Sequence, residues 1–345
     1  MHKRSLKELY QAHQGKVTDK WLLYLNSYDR FFNDFRERDI CLLEIGVQNG
    51  GSLEIWAKYF PYAKKLVGCD INPECRRLSY EDPRISVVIG DANIDDTENA
   101  ILSHGQNYDL IIDDGSHLSS DIIKSFARYF PHLVDGGAYV VEDLHCSYWQ
   151  EFEGGLFNPF SSITFFKRLA DILNHEHWGV SRGRGELLAG FSKQYGVSFN
   201  EEVLTQIHSI EFINSVCVIR KLSPQDNESG LRQIVGEAEL VQTGVKIFKN
   251  SAPQALNQTH NFWSTRQLPP EEELVQILKD LTERDAQIAS INQTMVERDA
   301  KIANLDQIMV ERDAQIASLN QTMVERDAKI ASLNQTMVER DAKIA

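Results

Sequence analysis

The chain of 345 residues contains no uncharged apolar run approaching the ~20 residues that a membrane-crossing helix needs, so no span is expected. Its first sixteen residues, MHKRSLKELYQAHQGK, are basic but lack an apolar stretch and a small-residue cleavage site, so no secretory leader is expected. Cysteine is scarce: Cys41, Cys69, Cys75, Cys146 and Cys217 are odd in number and scattered. Those spacings fit neither a disulfide framework nor a zinc knuckle and suit reduced thiols in the cytoplasm. Positive charge is also short, with 36 Lys and Arg against 50 Asp and Glu, a net of −14. Residues 271–345 hold 9 basic and 15 acidic residues, or −6, which leaves −8 on the first 270. Neither part has the basic footprint that a phosphate backbone requires, and nucleic acid is excluded as a substrate.

Glycine and proline are absent beyond Pro270, and what fills that tail is a repeat. The unit ERDAQIASINQTMV begins at Glu283 and recurs, with small changes, at Glu297, Glu311 and Glu325, then starts again at Glu339. Fourteen residues are two heptads. Leu274, Ile277, Leu281, Ile288, Ile291, Met295, Ile302, Leu305 and Met309 step by 3 and 4 along one stripe, which continues to Ile344. Arg284, Arg298, Arg312, Arg326 and Arg340 take every second d position. The pattern predicts a coiled-coil helix over 271–345, about 110 Å long at ~1.5 Å per residue, and a homo-oligomer formed through it. Residues 223–270, rich in Gln, Asn, Ser and Pro, read as a linker with an apolar patch at Val245–Phe248.

Residues 1–222 alternate strand and helix patterns. Continuous apolar runs of the kind found in strands covered on both faces occur at ICLLEIG, KLVGCDI, ISVVIGD, YDLIIDD and AYVVED. SLEIWAKYF, the TENAILSH region, SSDIIKSFARYF and ITFFKRLADILNH read as helices, and IHSIEFINSVCVIRK as two closing strands about an Asn-Ser turn. Repeated β-α units predict a doubly wound, Rossmann-like α/β sheet that binds ligands at the carboxyl ends of its strands.

Candidate chemistry sits at those ends. The first strand runs into Glu44-Ile-Gly46-Val-Gln-Asn-Gly50-Gly51-Ser52, a turn whose glycines let backbone approach a ligand at a helix N-terminus. Its G-x-x-x-G-G spacing is not the dinucleotide fingerprint and favours adenosylmethionine over a nicotinamide. Asp70 ends the second strand, where a carboxylate accepts from ribose hydroxyls, and Asp91 ends the third, within reach of an adenine edge. The fourth strand ends Asp113-Asp114-Gly115-Ser116-His117 and the fifth ends Glu142-Asp143. Up to four carboxylates and an imidazole therefore meet at one rim, a costly arrangement unless a cation such as Mg²⁺ or Mn²⁺ occupies it. His117 is placed for proton transfer. His145, Tyr148 and Trp149 are candidates for the wall of an acceptor pocket. Tyr24 and Tyr28, on the N-terminal helix, read as core in preference to a lid over the cofactor, and His175 and His177, at i and i+2, as loop histidines.

LLEIGVQNGGSLEIW, IIDDGSH and GGAYVVEDLHCSYW, with the earlier DKWLLYLNSYDRFF, resemble the macrolide deoxysugar O-methyltransferases of the macrocin/mycinamicin type. The resemblance covers roughly residues 10–221. It implies a class I methyltransferase fold, S-adenosylmethionine as cofactor, Asp114, Glu142 and Asp143 as Mg²⁺ ligands, and His117 as general base, with Asp113 structural. The implied reaction is methyl transfer to a hydroxyl of a sugar or glycan-like acceptor. A catalytically silent scaffold and a metal-dependent glycosyltransferase are the alternatives.

Overall fold

A computed structural model of the protein describes residues 3–344. The chain divides into two compact units, Met1–Glu272 and Glu273–Ala345. In the first, α1 (Leu6–Gln11) and α2 (Leu22–Phe32) precede β1 (Cys41–Ile45), α3 (Gly51–Tyr59), β2 (Lys65–Asp70) and β3 (Ile85–Ile89). Next come α4 (Asp95–His104), β4 (Tyr108–Asp113), α5 (Ser119–Tyr129) and β5 (Leu133–Val141). The unit continues with α6 (Ser162–Leu173), α7 (Ala189–Tyr195), α8 (Glu201–Leu204), β6 (Ile207–Ile213) and β7 (Val216–Lys221). The seven strands form one sheet in the order β3-β2-β1-β4-β5-β7-β6.

Each of the five apolar runs became a strand, because alternate side chains of each run find a helix layer to cover them. Leu42, Leu66, Leu110, Ile112, Ala138 and Val140 face a layer built by α1, α2 and α3. Leu43, Val67, Ile111, Tyr139 and Val141 face the other, built mainly by α4, α5 and α6. The sheet is not wholly parallel: β1 to β5 pair in parallel, but β7 runs antiparallel to both β5 and β6. A tight turn cannot join parallel neighbours, so the Asn214-Ser215 hairpin forces this reversal. Residues 223–269 count with the first unit and carry only short 3₁₀ turns at Pro224–Asn227 and Val245–Phe248. The tail is a single helix, α9 (Pro270–Ile344), of 75 residues. Among the described residues, no helix is long and apolar enough to cross a membrane.

Candidate functional site

The strand order reverses between β1 and β4, and two adjoining cavities open there at the carboxyl ends of the strands. The larger, about 430 Å³, is lined by Lys20, Trp21, Tyr24, Asp114, His117, Glu142, Asp143 and His145, among others. The smaller, about 180 Å³, is lined by Asp91, Ala92, Asn93, Asp113 and Ser125 among others. Gly46, Asp70 and Gly115 belong to both. Gly46 has φ 93°, and a β-carbon there would overlap the Asp114 carbonyl, so the turn after β1 needs glycine to pass the end of β4.

Asp70 clamps that turn. Its Oδ2 accepts the backbone N–H groups of Val47 (2.9 Å) and Gln48 (2.8 Å), and its Oδ1 that of Asn72 (2.8 Å). Asp91 accepts the Asn93 N–H at 2.8 Å and lines the smaller cavity. Glu44 and Gly50, expected to touch a cofactor, line neither cavity. Glu44 is fully buried and accepts from Ser52 Oγ (2.6 Å) and Trp56 Nε1 (3.2 Å), so it braces α3 from beneath. Burial pushes its carboxyl above the usual range, against the opposing pull of Lys20.

The acids of β4 and β5 divide by strand alternation. Asp113 lies on the α5 side, where Tyr139 Oη donates to it at 3.3 Å; burial drives its pKa up to about 7 despite bonds from Gly115 and Tyr139. Asp114 and Glu142 lie on the opposite side, where Lys20 meets them. The Lys20 ammonium, 2 % exposed, is 2.5 Å from Asp114 Oδ2, 2.8 Å from Glu142 Oε2 and 3.8 Å from Glu44 Oε1. Tyr28 Oη donates to the other Glu142 oxygen at 2.7 Å. Burial alone would lower the pKa of Lys20, but Glu142, then Asp114 and Glu44, hold it well above its ordinary value. Burial and Asp114 push Glu142 up, while Lys20 and Tyr28 hold it back.

Asp143 leaves β5 in a left-handed conformation (φ 53°), which turns its carboxylate away from the core and into the larger cavity. Tyr24 Oη (2.6 Å) and Trp21 Nε1 (3.2 Å) donate to its Oδ1. His117, also left-handed at φ 58°, brings Nε2 within 3.8 Å of Asp143 Oδ2. Asp114, His117 and Asp143 each place a ligand atom within 4.8 Å of the others, a donor set that fits a hard cation. Glu142 fits less directly: it is 1 % exposed and both its oxygens are engaged, which differs from the three-acid set implied by the resemblance.

Several participants were not singled out from the sequence. Lys20, Trp21 and Ser215 were passed over, and Tyr24 and Tyr28, read as core, bond site acids. The β6–β7 turn supplies Ser215, whose Oγ lies 2.5 Å from His145 Nδ1 and whose carbonyl accepts from Leu144 N–H. His145 lines the cavity beside Trp21 and Trp149, while Tyr148 and Trp149 stand half-exposed. His175 pairs with the Arg182 carbonyl and meets Trp178 edge-on, outside both cavities.

No protein-family model matches the sequence. The 8-demethyl-8-alpha-L-rhamnosyl tetracenomycin-C 2'-O-methyltransferase of Streptomyces olivaceus is 38% identical over 182 residues, 48% of this chain and 46% of that one. The demethylmacrocin O-methyltransferase of Streptomyces fradiae is 32% identical over 211 residues, 57% of this chain and 50% of its own. The MycE methyltransferase of the mycinamycin biosynthetic pathway, solved in complex with Mg and SAH, superposes with a TM-score of 0.55 at 27% identity. That match covers 65% of this chain and 56% of MycE. The chain spans about half the length of the curated relatives it matches. Its sheet is the Rossmann-like class I methyltransferase fold, and the likeness expected from the glycine turn, IIDDGSH and VVED is to sugar O-methyltransferases of the macrocin and mycinamicin type.

Proposed function

We propose that the chain transfers a methyl group from S-adenosylmethionine to a hydroxyl of a sugar or glycan-like acceptor, with Mg²⁺ or Mn²⁺ as co-factor. One observation carries the reading: a nucleoside-sized cavity rimmed by Asp70 and Asp91 adjoins a larger one holding Asp114, His117 and Asp143. Adenosylmethionine already carries an activated methyl, so the protein's task is to align it and to supply a nucleophilic oxygen. His117 takes the hydroxyl proton as the new O–C bond forms and the C–S bond breaks, releasing adenosylhomocysteine. Asp143, beside His117, steadies the imidazolium that results. Asp114 and Asp143 would hold the divalent cation with Glu142 directly behind them; when bound, it supplies positive charge near the developing alkoxide. Trp21, which lines the larger cavity, and Trp149, which packs against the cavity residue His145, are each at least half exposed and offer ring surface to a pyranose.

Calorimetry with adenosylhomocysteine against a nucleotide-sugar diphosphate tests the assignment: binding of the second and not the first would favour a glycosyltransferase. A gain of one methylene mass in a glycan or glycolipid screen separates an active enzyme from a silent scaffold. Asp70→Ala should weaken adenosylhomocysteine binding by about 1.5–3 kcal/mol, since it removes a charged acceptor and frees the Val47–Gln48 turn. Unchanged affinity would take Asp70 out of the cofactor site.

The five cysteines all carry free thiols, which supports placing the reaction in a reducing compartment such as the cytoplasm. The apolar stripe of α9, with Ile288, Ile291 and Leu305 each more than half exposed along the helix, supports assembly through a coiled coil. A chain ended near residue 280, beyond the buried Glu272, should stay soluble, form a smaller species in light scattering and still methylate a short acceptor. Full-length stoichiometry in the truncated protein would assign assembly to the first unit instead.

A further inference from the structure

We propose that Lys20 is a permanent cation of the site, which stays between Asp114, Glu142 and Glu44 and shares their charge with a bound divalent ion. The inference rests on the metal dependence proposed above. Displacement of the ammonium is the other possibility, and the surroundings argue against it. Lys20 is 2 % exposed and gripped by three carboxylates, two of them within 2.8 Å. Of these, Glu44 is fully buried, accepts from Ser52 and Trp56 and lines neither cavity, so an ion held in the cavity does not reach it to take over its neutralisation. Charge counting agrees. With every acid ionised, Glu44, Asp114, Glu142 and Asp143 against Lys20 leave −3. A divalent ion brings this to −1, and the sulfonium of adenosylmethionine to zero. Removing the ammonium would leave the cluster short of one charge at that stage.

The arrangement also divides the labour between oxygens. Lys20 holds Asp114 by Oδ2, which fixes the carboxylate and leaves Oδ1 for the cavity. Lys20 and Tyr28 together hold Glu142. Lys20 is thus a positioning residue. It keeps the acids assembled before the ion arrives, and its charge weakens the ion's binding so that it exchanges.

Reductive methylation of the full chain, read by peptide mass spectrometry, tests residence on the native protein. Lys20 should stay unmodified with and without Mg²⁺, while exposed Lys58 reacts in both. Mg²⁺-dependent labelling of Lys20 would show displacement and overturn the proposal. Lys20→Met, titrated with Mn²⁺ by electron paramagnetic resonance, should bind the ion at least about tenfold more tightly, because a nearby unit positive charge is gone. The same variant should melt lower without metal and recover with Mn²⁺. Equal or weaker Mn²⁺ affinity in Lys20→Met, with wild type binding normally, would refute the sharing alone. Absence of Mn²⁺ binding by wild type would overturn the metal reading and this inference with it. If Lys20→Met fails to fold, the labelling result on wild type still decides.

From a separate observation we infer that the partner of α9 is a second copy running parallel and in register. Each d-position Arg is followed by an Asp at e: Arg284-Asp285, Arg298-Asp299, Arg312-Asp313, Arg326-Asp327 and Arg340-Asp341. In a parallel pair a d side chain packs against d and e of its neighbour, so each guanidinium meets the Asp of the second copy in five layers. In an antiparallel pair e faces e, and the Asp column would meet itself. A third or fourth strand would enclose the guanidinium, whereas two strands leave it a way out to solvent. Leu319→Cys in the full chain, at a d position, should oxidise to a covalent dimer through residue 319, with wild type as the control for native thiols. Mixing Leu319→Cys with Leu305→Cys reads a slip of one repeat and should give no heterodimer crosslink. Arg312→Glu should weaken the dimer in light scattering, and adding Asp313→Arg should restore it. A dimer without the 319 crosslink, a one-repeat slip or a monomeric full chain each overturns the inference.

Discussion

Exhaustive chelation with EDTA is expected to reduce methyl transfer to background, and Mg²⁺ or Mn²⁺ to restore it. Three carboxylates, Glu44, Asp114 and Glu142, gather around one ammonium, and Asp143 stands beside Asp114. Like charges at such separations stay ionised together only where further positive charge offsets them. The variants should differ in a way that the resemblance alone does not anticipate. Asp114 is 22 % exposed and retains solvent on its cavity side, so Asp114→Ala should fold, bind adenosylhomocysteine and lose turnover. Glu142→Ala removes a buried partner of both Lys20 and Tyr28 and should destabilise the fold by about 3–5 kcal/mol as well as inactivate it. Melting curves beside methyl-transfer assays check both halves. Full activity after chelation would sink the metal hypothesis and leave proton removal by His117 as the sole activation.

Much of the site was legible because strand ends in a β-α array converge by rule. Asp70, Asp91, Asp114, His117 and Asp143 all line the two cavities. What could not be read has a common cause, long sequence separation. Lys20 reaches Asp114 across 94 residues and Glu142 across 122, and nothing local in DKWLLYLNSYDRFF marks a lysine for burial. Core packing holds for the rings of Tyr24 and Tyr28, while their hydroxyls point the other way, to Asp143 and Glu142.

Glu44 is a different case, because a signal was available. Side chains alternate along a strand. Glu44 therefore shares a face with Leu42, the face that α1–α3 cover, and a carboxylate there is drawn into the core toward Ser52 and Trp56. The same alternation sets Glu142 with Val140, facing Tyr28 on α2, and Asp113 with Ile111, beside Tyr139 on the α5 side. Asp143 escapes this pattern through its left-handed backbone, which residue type alone does not announce. Period two thus assigns Glu44, Asp114 and Glu142 to the face that meets Lys20 and Asp113 to the other, while depth along the strand end, not the face, separates the half-open Asp114 from the buried Glu142.

Replacing His117 is expected to lower kcat by roughly 10²–10⁴, the usual contribution of a positioned general base, with adenosylhomocysteine affinity little changed. His117 lines the larger cavity, and the proposed nucleoside contacts are Asp70, which ends β2, and Asp91, in the turn after β3. The choice of variant matters, because His117 sits at φ 58°, where Asn is tolerated better than Ala. His117→Asn keeps that backbone and tests the imidazole; His117→Ala adds a conformational cost of order 1 kcal/mol to stability. Equal kcat losses in the two would assign the effect to the missing base, whereas a loss confined to His117→Ala would assign it to the turn. The residual rate of either variant should climb with pH as hydroxide replaces the imidazole, and added imidazole should rescue it in part. Asp143→Asn, which removes the charge beside Nε2 and one donor to the cation together, should cost at least as much. Near-normal turnover of His117→Asn at neutral pH would show that His117 is structural, or that it serves the cation rather than the proton, and that polarisation of the acceptor by the site's positive charge suffices.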